Sequence, residues 1–201
     1  LPTEKAWLEA NYPGEFTYES SRDDAEYIYE AEKLATYAGK KLHAKRNFCN
    51  RFEAAHPDWR FEPITAENRE DVLLFHRQWQ TANEGEDEGL HKEGCVVRCA
   101  LREELKMTGG VLTAGGKIYG FAVASMINET MMDENIEKAD GEEPGAYPMV
   151  CREMAKMMKQ KYPGLVFINR EEDTGDEGLR RSKESYCPVM LLEKYVTREA
   201  K

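Results

Sequence analysis

A cluster of charged residues follows a short apolar run near the end of this chain of 201 residues. The apolar run extends from Leu165 to Ile168, and the cluster after it consists of Asn169, Arg170, Glu171, Glu172 and Asp173. In open α/β sheets, polar groups at the carboxyl ends of strands converge on ligands. The cluster is therefore a candidate site for acid-base chemistry or for a charged ligand. The alternative is a solvated turn.

A second candidate site is the basic segment KKLHAKRNFCNR, residues 40–51, which contains no acidic residue. Lysine and arginine side chains donate to phosphate, carboxylate or an RNA backbone. The candidate substrate-binding residues in this segment are Lys45, Arg46, Asn47 and Arg51. The structural alternative is a solvated basic helix that pairs with acidic neighbours.

The composition restricts the classes of protein to which the chain can belong. A net charge of −10 argues against a general nucleic-acid binder, although it leaves room for a local basic patch. The five cysteines are widely spread and include no Cys-x-x-Cys pair, which indicates neither a disulfide framework nor a structural zinc site. We expect reduced thiols, a cytoplasmic location, no membrane span and no signal peptide. Because the chain starts at Leu1 without a methionine, we expect it to be a fragment of a longer protein.

Hydrophobic periodicity predicts the elements that must position these candidates. A helix is predicted over residues 23–38, where apolar side chains follow helical spacing, and the basic segment forms the next one. From Trp59 the predicted order is strand, helix, helix, three-stranded meander, helix, strand, helix, strand. The predicted ranges are 59–62, 66–81, 96–105, 110–114, 117–125, 131–138, 146–161, 165–168, 179–186 and 187–196. The predicted hairpin turn is Gly115-Gly116, and the methionines of helix 146–161 are expected to be core.

Three stretches of the sequence carry a resemblance to a known family. They read KKLHAKRNFCNRF, IEKADGEEPGAYPMVCREMAK and FINREEDTGDEGLRRSKESYCPVMLLEKY. In this order they closely resemble the DUF2156 family, which is similar to the C-terminal domain of bacterial phosphatidylglycerol lysyltransferases. The resemblance extends from about Tyr18 to Val196.

The resemblance implies an α/β (α+β) protein of the GCN5-related N-acetyltransferase type, also called the acyl-CoA N-acyltransferase fold. This fold has a mixed central sheet with flanking helices, and the family contains two such halves in tandem. The resemblance implies that residues 58–201 are the complete second half. Residues 1–57 are then the C-terminal remnant of the first half together with the basic helix.

The implied activity is transfer of an acyl or aminoacyl group to an amine or hydroxyl acceptor. The donor is left open between acyl-CoA, aminoacyl-tRNA and another small molecule, and no metal is implied. Enzymes of this fold that use acetyl-CoA hold its pyrophosphate on a glycine-rich loop at the start of the central helix. Here that position reads DGEEPGA, residues 140–146, in which Glu142 and Glu143 would repel the anion.

The resemblance also implies roles for individual polar residues. We expect Glu137 to converge with Glu172 or Asp173 where the sheet splays, and one of them to act as base if burial raises its pKa. Tyr186 is the candidate general acid. The remaining candidate ligand contacts are Asn169 and Arg170, together with Arg180, Arg181 and Lys183, which are suited to phosphate.

Two alternatives to catalysis remain open at the level of the sequence. Arg46, Arg170 and Lys183 could instead pair with Glu137, Glu171 and Asp173 in a network that joins the two halves. The chain could also be a non-catalytic binding or regulatory protein that retains the fold, because fold alone does not imply chemistry.

Overall fold

The computed structural model describes residues 1–83, 97–98 and 101–200. Predictions for an acidic loop at residues 84–88, for His91 and for the start of the helix at Val96 lie outside these residues. The helices are α1 (Pro2–Asn11), α2 (Ala31–Thr36), α3 (His43–Ala55), α4 (Arg69–Asn83), α5 (Ala146–Lys161) and α6 (Glu177–Glu184). The strands are β1 (Phe16–Glu19), β2 (Glu26–Glu30), β3 (Arg60–Pro63), β4 (Thr108–Ala114), β5 (Lys117–Asn128), β6 (Met131–Ala139), β7 (Phe167–Asn169), β8 (Met190–Leu192) and β9 (Val196–Glu199).

Seven of these strands form one mixed sheet in the order β3-β4-β5-β6-β7-β2-β8. The pair β6–β7 is parallel, and the other neighbours in the sheet are antiparallel. Strands β1 and β9 form a separate antiparallel ribbon that joins the two ends of the chain. The predicted mixed sheet with flanking helices, and the acetyltransferase-like fold class, are confirmed.

The helix predicted over residues 23–38 is wrong in its first half. Residues 22–24 form a 3-10 turn, residues 26–30 form strand β2, and the α-helix covers residues 31–36. The side chains of Tyr27, Ile28 and Tyr29 are all buried, which is the pattern of a strand covered on both faces. Aromatic and β-branched residues favour this environment, and β2 is enclosed by β7 and β8.

The predicted division of the chain at residue 57 stays a prediction. Strand β2 precedes that division and lies between two strands that follow it. The residues on either side of position 57 therefore share one sheet.

Apolar side chains cover both faces of this sheet. On one face, the buried residues of α2, α3 and α5 form the larger core with those of β2, β6 and β7. On the other face, Val72 and Leu73 of α4 contact Val111, Phe121, Val123 and Ile136. In α5 the side chains of Met149, Met154 and Met158 are fully buried, and the half-buried Met157 packs against the same core, which confirms the prediction that these methionines are core.

Candidate active site

A crevice opens where strands β6 and β7 separate. Their parallel pairing consists of Met131 with Phe167, Met132 with Ile168 and Asp133 with Asn169. Beyond Asn169 the chain stays with β2, because the Arg170 amide donates to the Tyr27 carbonyl at 3.0 Å. Strand β6 continues to Ala139 alongside β5. We call the resulting gap the crevice, and the side chains argued below to form it are Lys45, Glu134, Glu137, Cys151, Arg170 and Tyr186.

A register shift brings two glutamates of β6 to the same side of the sheet. Val123 pairs with Ile136, whereas Ser125 pairs with Asp133, so β6 contains one extra residue between these pairs. Such a bulge redirects the following side chains. Glu134 and Glu137 consequently both point toward the Cys151 side, with potential ligand atoms of all three within 4.8 Å of one another. Ile136 packs into the core on the opposite face.

Arg170 bridges the two glutamates. Its Nε lies 2.5 Å from Glu134 Oε2, and its Nη2 lies 2.8 Å from Glu137 Oε2. The Arg170 side chain is only 10% exposed. Its third nitrogen, Nη1, is buried and has no hydrogen-bond partner among the residues that the structure describes. A buried donor without a partner is unfavourable, and Arg170 therefore retains one unused donor in the crevice.

The carboxyl group of Glu137 is the titrating centre of the crevice. Burial raises its pKa to about 8, and the neighbouring Glu134 carboxylate and its hydrogen bond act in the same direction against the lowering effect of Arg170. Glu137 thus binds a proton at neutral pH and releases it slightly above, which is the range in which a general base is effective.

Tyr186 and Lys45 complete the crevice. Tyr186 is buried, and this burial raises the pKa of its phenol well above the ordinary value. The Lys45 ammonium of α3 lies 3.7 Å from the centroid of the Tyr186 ring, and the Arg170 guanidinium carbon lies 4.8 Å from it. Burial lowers the pKa of Lys45. No hydrogen bond or ion pair of the Lys45 ammonium is found within the described part of the chain.

The spacing of Glu134, Glu137 and Cys151 would also allow a metal ion. Two features argue for an ion-pair cluster instead. Arg170 already contacts both carboxylates, and burial raises the pKa of the Cys151 thiol, which disfavours the thiolate that a metal requires.

The other two predicted bases lie in different surroundings. Asp173 is fully buried, accepts a hydrogen bond from Tyr27 at 2.6 Å and pairs with Arg22 and Arg180. The hydrogen bond from Arg180 lowers the pKa of Asp173 far below its ordinary value. Glu172 pairs with Lys194 at 2.8 Å, which also lowers its pKa. Of the three candidate bases, Glu137 is therefore the one whose pKa burial raises, whereas specific cations lower the pKa of Glu172 and Asp173.

Three more predicted ligand contacts hold the loop after β7. Asn169 donates to Glu26 at 2.7 Å and accepts from the amide of Glu171. The Lys183 ammonium donates to the carbonyls of Arg170 and Glu172. Arg180 contacts Asp23 and Asp173, while Arg181 is exposed. These contacts fix the backbone of the loop, and with it the position of Arg170. The role of Asn169, Lys183 and Arg180 in this structure is to orient the loop.

The basic segment is divided between two faces of α3. Arg46 donates to the carbonyl of Tyr37 at 2.6 Å, which uses part of its guanidinium inside the protein. Asn47 and Arg51 are exposed. Of the four candidates in this segment, Lys45 is the one whose charge contacts the crevice. Of the alternative network of three cations and three acids, the structure shows the pair of Arg170 with Glu137.

Two residues of the crevice were not predicted from the sequence. Glu134 lies three residues before Glu137, a spacing that places side chains on opposite faces of a regular strand, and the bulge cannot be read from the sequence. Cys151 does have a sequence signal, since it shares helical spacing with Met154 and Met158 on the buried face of α5.

The loop that would hold a pyrophosphate in an acetyl-CoA enzyme is closed here. Three of its backbone amides, those of Glu142, Glu143 and Ala146, donate to acceptors within the loop. Gly145 has φ of +100° and lies against the carbonyl of Phe48 in α3. These three amides are therefore already paired within the chain, and α3 lies directly against Gly145, where the loop would have to receive a phosphate.

A cleft of about 700 Å³ lies on the other face of the sheet, between α4 and the β3–β5 strands. Leu74, Phe75, Trp79 and Ile118 contribute its apolar lining. Its cation Lys117 pairs with Asp140 at 2.8 Å. Because Glu137 does not line this cleft, we expect the chemistry in the crevice instead.

Comparisons with known proteins agree with this fold. A conserved protein of unknown function from Bacteroides thetaiotaomicron is 40% identical, and its structure superposes with a TM-score of 0.91 over 99% of this chain and 67% of that chain. The structure of L-PGS from Bacillus licheniformis is 18% identical, with a TM-score of 0.64 over 96% of this chain and 64% of that chain. The second similarity is evidence for the fold alone.

A curated relative, the uncharacterized protein MYCGA3080 of Mycoplasmoides gallisepticum, is 24% identical over 199 residues. The chain spans 62% of the length of that relative, which matches 97% of this chain. None of the helices in the described ranges has the length and apolar character that crossing a membrane requires. The family profile described as "Phosphatidylglycerol lysyltransferase, C-terminal" matches residues 3–198. The chain therefore belongs to the phosphatidylglycerol lysyltransferase C-terminal family.

Proposed function

We propose that the chain transfers an acyl or aminoacyl group to an amine or hydroxyl acceptor, with Glu137 as the general base. The observation that carries this proposal is the position of Glu137, a carboxyl with a pKa of about 8 in the crevice between β6 and β7. Membership of the lysyltransferase family supports the reaction class.

In the proposed reaction, Glu137 takes a proton from the acceptor as its nitrogen or oxygen bonds to the carbonyl carbon of the donor. The carbonyl electron pair moves onto the oxygen and returns when the bond to the leaving group breaks. Burial keeps Tyr186 protonated, so its phenol donates to a strongly basic leaving group such as an alkoxide. The proton on Glu137 then returns to the phenolate through solvent, which restores both residues.

We favour an aminoacyl donor such as aminoacyl-tRNA over acyl-CoA. Three amides of the loop 140–146 already donate to acceptors within the loop, and Glu142 and Glu143 carry the same sign of charge as a pyrophosphate. The exposed side chains of Lys40 and Arg51 offer donors for an RNA backbone outside the crevice. Such a donor would imply a cytoplasmic location. The identity of the acceptor is left open.

A binding protein without catalysis is the second candidate, and the ion pair of Arg170 with Glu137 favours it. A base held by a guanidinium is less available to a substrate. In this case the crevice would bind an acyl or aminoacyl metabolite without turning it over.

The test measures transfer from labelled aminoacyl-tRNA and, separately, from labelled acyl-CoA to amine and hydroxyl acceptors. We expect Glu137→Gln to lower kcat at least a hundredfold, and Tyr186→Phe to lower it with a smaller effect on donor affinity. Glu129→Gln, in an exposed turn, and Tyr12→Phe, on the surface, are the matched controls. Donor binding without turnover by the wild-type chain would support the binding protein instead, and full activity of Glu137→Gln would remove Glu137 from the mechanism.

A further inference from the structure

Two cations in the crevice contact the same aromatic ring, that of Tyr186, and each has a donor without a partner among the described residues. The Arg170 Nη1 is buried and has no partner among the described residues. The Lys45 ammonium lies against Tyr186 and is not hydrogen-bonded within the described part of the chain. Both groups contact the Tyr186 ring, at 4.8 Å and 3.7 Å respectively.

The remaining contacts of Arg170 fix its direction. Its other two nitrogens bind Glu134 and Glu137, and the backbone of Arg170 is held by Tyr27 and by the Lys183 ammonium. A guanidinium held in this way presents its third nitrogen without further reorganisation. Lys45 has a flexible stem and reaches the same region from α3, an element that is distant in sequence.

We propose that Arg170 Nη1 and Lys45 Nζ form an oxyanion seat that binds the carbonyl oxygen of the donor in the crevice. This inference rests on the proposed function, since it assigns to these donors the oxygen that becomes negative as the acceptor attacks. Preorganised donors at such an oxygen are a large source of rate enhancement. The seat lies beside Glu137. The crevice would therefore supply both the base and the donors that stabilise the negative charge formed when the acceptor attacks.

The charge of the crevice fits an oxygen anion better than a cation. With a proton on Glu137, Arg170 and Lys45 contribute two positive charges against the one remaining carboxyl group, that of Glu134. One additional negative charge on the ligand therefore brings the crevice to neutrality. A ligand ammonium would instead have to displace Arg170 from its two carboxylates.

The test uses Lys45, because its replacement removes no hydrogen bond from the described fold. Lys45→Met removes the charge and keeps the length, Lys45→Arg restores a cation, and Lys41→Met is the control on the exposed part of the same segment. Binding of methylphosphonate, a small tetrahedral oxyanion, is measured by calorimetry. We expect Lys45→Met to weaken its binding about tenfold to a hundredfold, as for loss of a charge-assisted hydrogen bond, with partial recovery in Lys45→Arg and no change in Lys41→Met.

Transfer kinetics provide the second measurement. In Lys45→Met we expect kcat to fall by a similar factor while KM for the donor changes less than threefold, because the contact strengthens only as the oxygen becomes charged. Failure of the wild-type chain to bind methylphosphonate would overturn the seat, as would unchanged affinity and kcat in Lys45→Met.

The two proposals fail in different ways. If methylphosphonate binds and depends on Lys45 but no donor is turned over, the seat stands and the transferase assignment fails. If transfer depends on Glu137 but is unchanged in Lys45→Met, the transferase proposal is supported and the oxyanion seat is wrong.

Discussion

Replacement of Glu137 by glutamine should stabilise the protein relative to the wild type. The difference in stability should grow as the pH rises from about 5 to 8. The glutamine side chain has the shape of the protonated carboxyl and can still accept the hydrogen bond from Arg170 Nη2. It cannot ionise, however. The wild-type and variant proteins should therefore have similar stability in acid and differ at higher pH, where only the wild-type chain must keep a proton on a buried group.

The magnitude follows from linkage between proton binding and folding. The ordinary pKa of glutamate is 4.5, and that of Glu137 in the fold is about 8. Between these values the folded chain holds a proton that the unfolded chain releases, so this group contributes stability in acid that is lost as pH rises through the window. The loss has an upper slope of about 1.4 kcal/mol per pH unit and a total of up to about 5 kcal/mol, reached near pH 8.

The assay is urea unfolding of the wild-type chain and Glu137→Gln at half-unit steps from pH 5 to 9.5. The difference in the free energy of unfolding should grow in favour of the variant and level off above pH 8. Glu129→Gln, which changes an exposed carboxyl, should show no such growth. A constant difference across the whole range would refute the reasoning, because Glu137 would then have the same pKa in the folded and unfolded chains.

Two further predictions concern the fold around the crevice. Asp173→Asn should lower the free energy of unfolding by about 3 kcal/mol, since two arginines lose a fully buried partner; the exposed Asp24→Asn should have little effect. Because the pKa of Asp173 is lowered, its contribution to the stability of the fold is present above pH 4 and should be lost in stronger acid. Acid unfolding of the wild-type chain and of Asp173→Asn would measure this loss. In urea unfolding, Gly145→Ala should lower the free energy of unfolding by over about 1 kcal/mol more than Gly14→Ala does. Both glycines have positive φ, but of the two only Gly145 lies against a backbone carbonyl. Equal losses in the two variants would contradict this steric argument.

Local signals in the sequence were sufficient for the elements that form from local contacts. Helix α5 has the predicted bounds, since its apolar periodicity and the Pro163-Gly164 stop are both local. The β4–β5 hairpin follows from Gly115 and Gly116, which both have positive φ. Strand β2 could not be predicted in this way. Its apolar residues fit a helix equally well, and its strand partners are residues 167–169 and 190–192, far away in sequence.

In the crevice, too, some features follow from the local sequence and others depend on partners that are distant in sequence. Glu137, Arg170, Tyr186 and Lys45 were candidates on the sequence, and the structure brings their side chains together. Their partners were not predictable, because the bulge that turns Glu134 inward depends on pairing with β5. The cations that hold Glu172 and Asp173 likewise come from outside the cluster, at Lys194 and Arg22.

The central place of β2 has a consequence for the order in which the chain can fold. During synthesis, Tyr27, Ile28 and Tyr29 leave the ribosome long before β7 and β8 exist to cover them. The meander of β4, β5 and β6 can pair through short connections as it emerges, whereas β2 must wait for the end of the chain. Its apolar residues remain uncovered by their strand partners during this interval, which is the stage most exposed to misassembly. The crevice can form only after β7 has paired with β2. The candidate site is therefore among the last parts of the molecule to form.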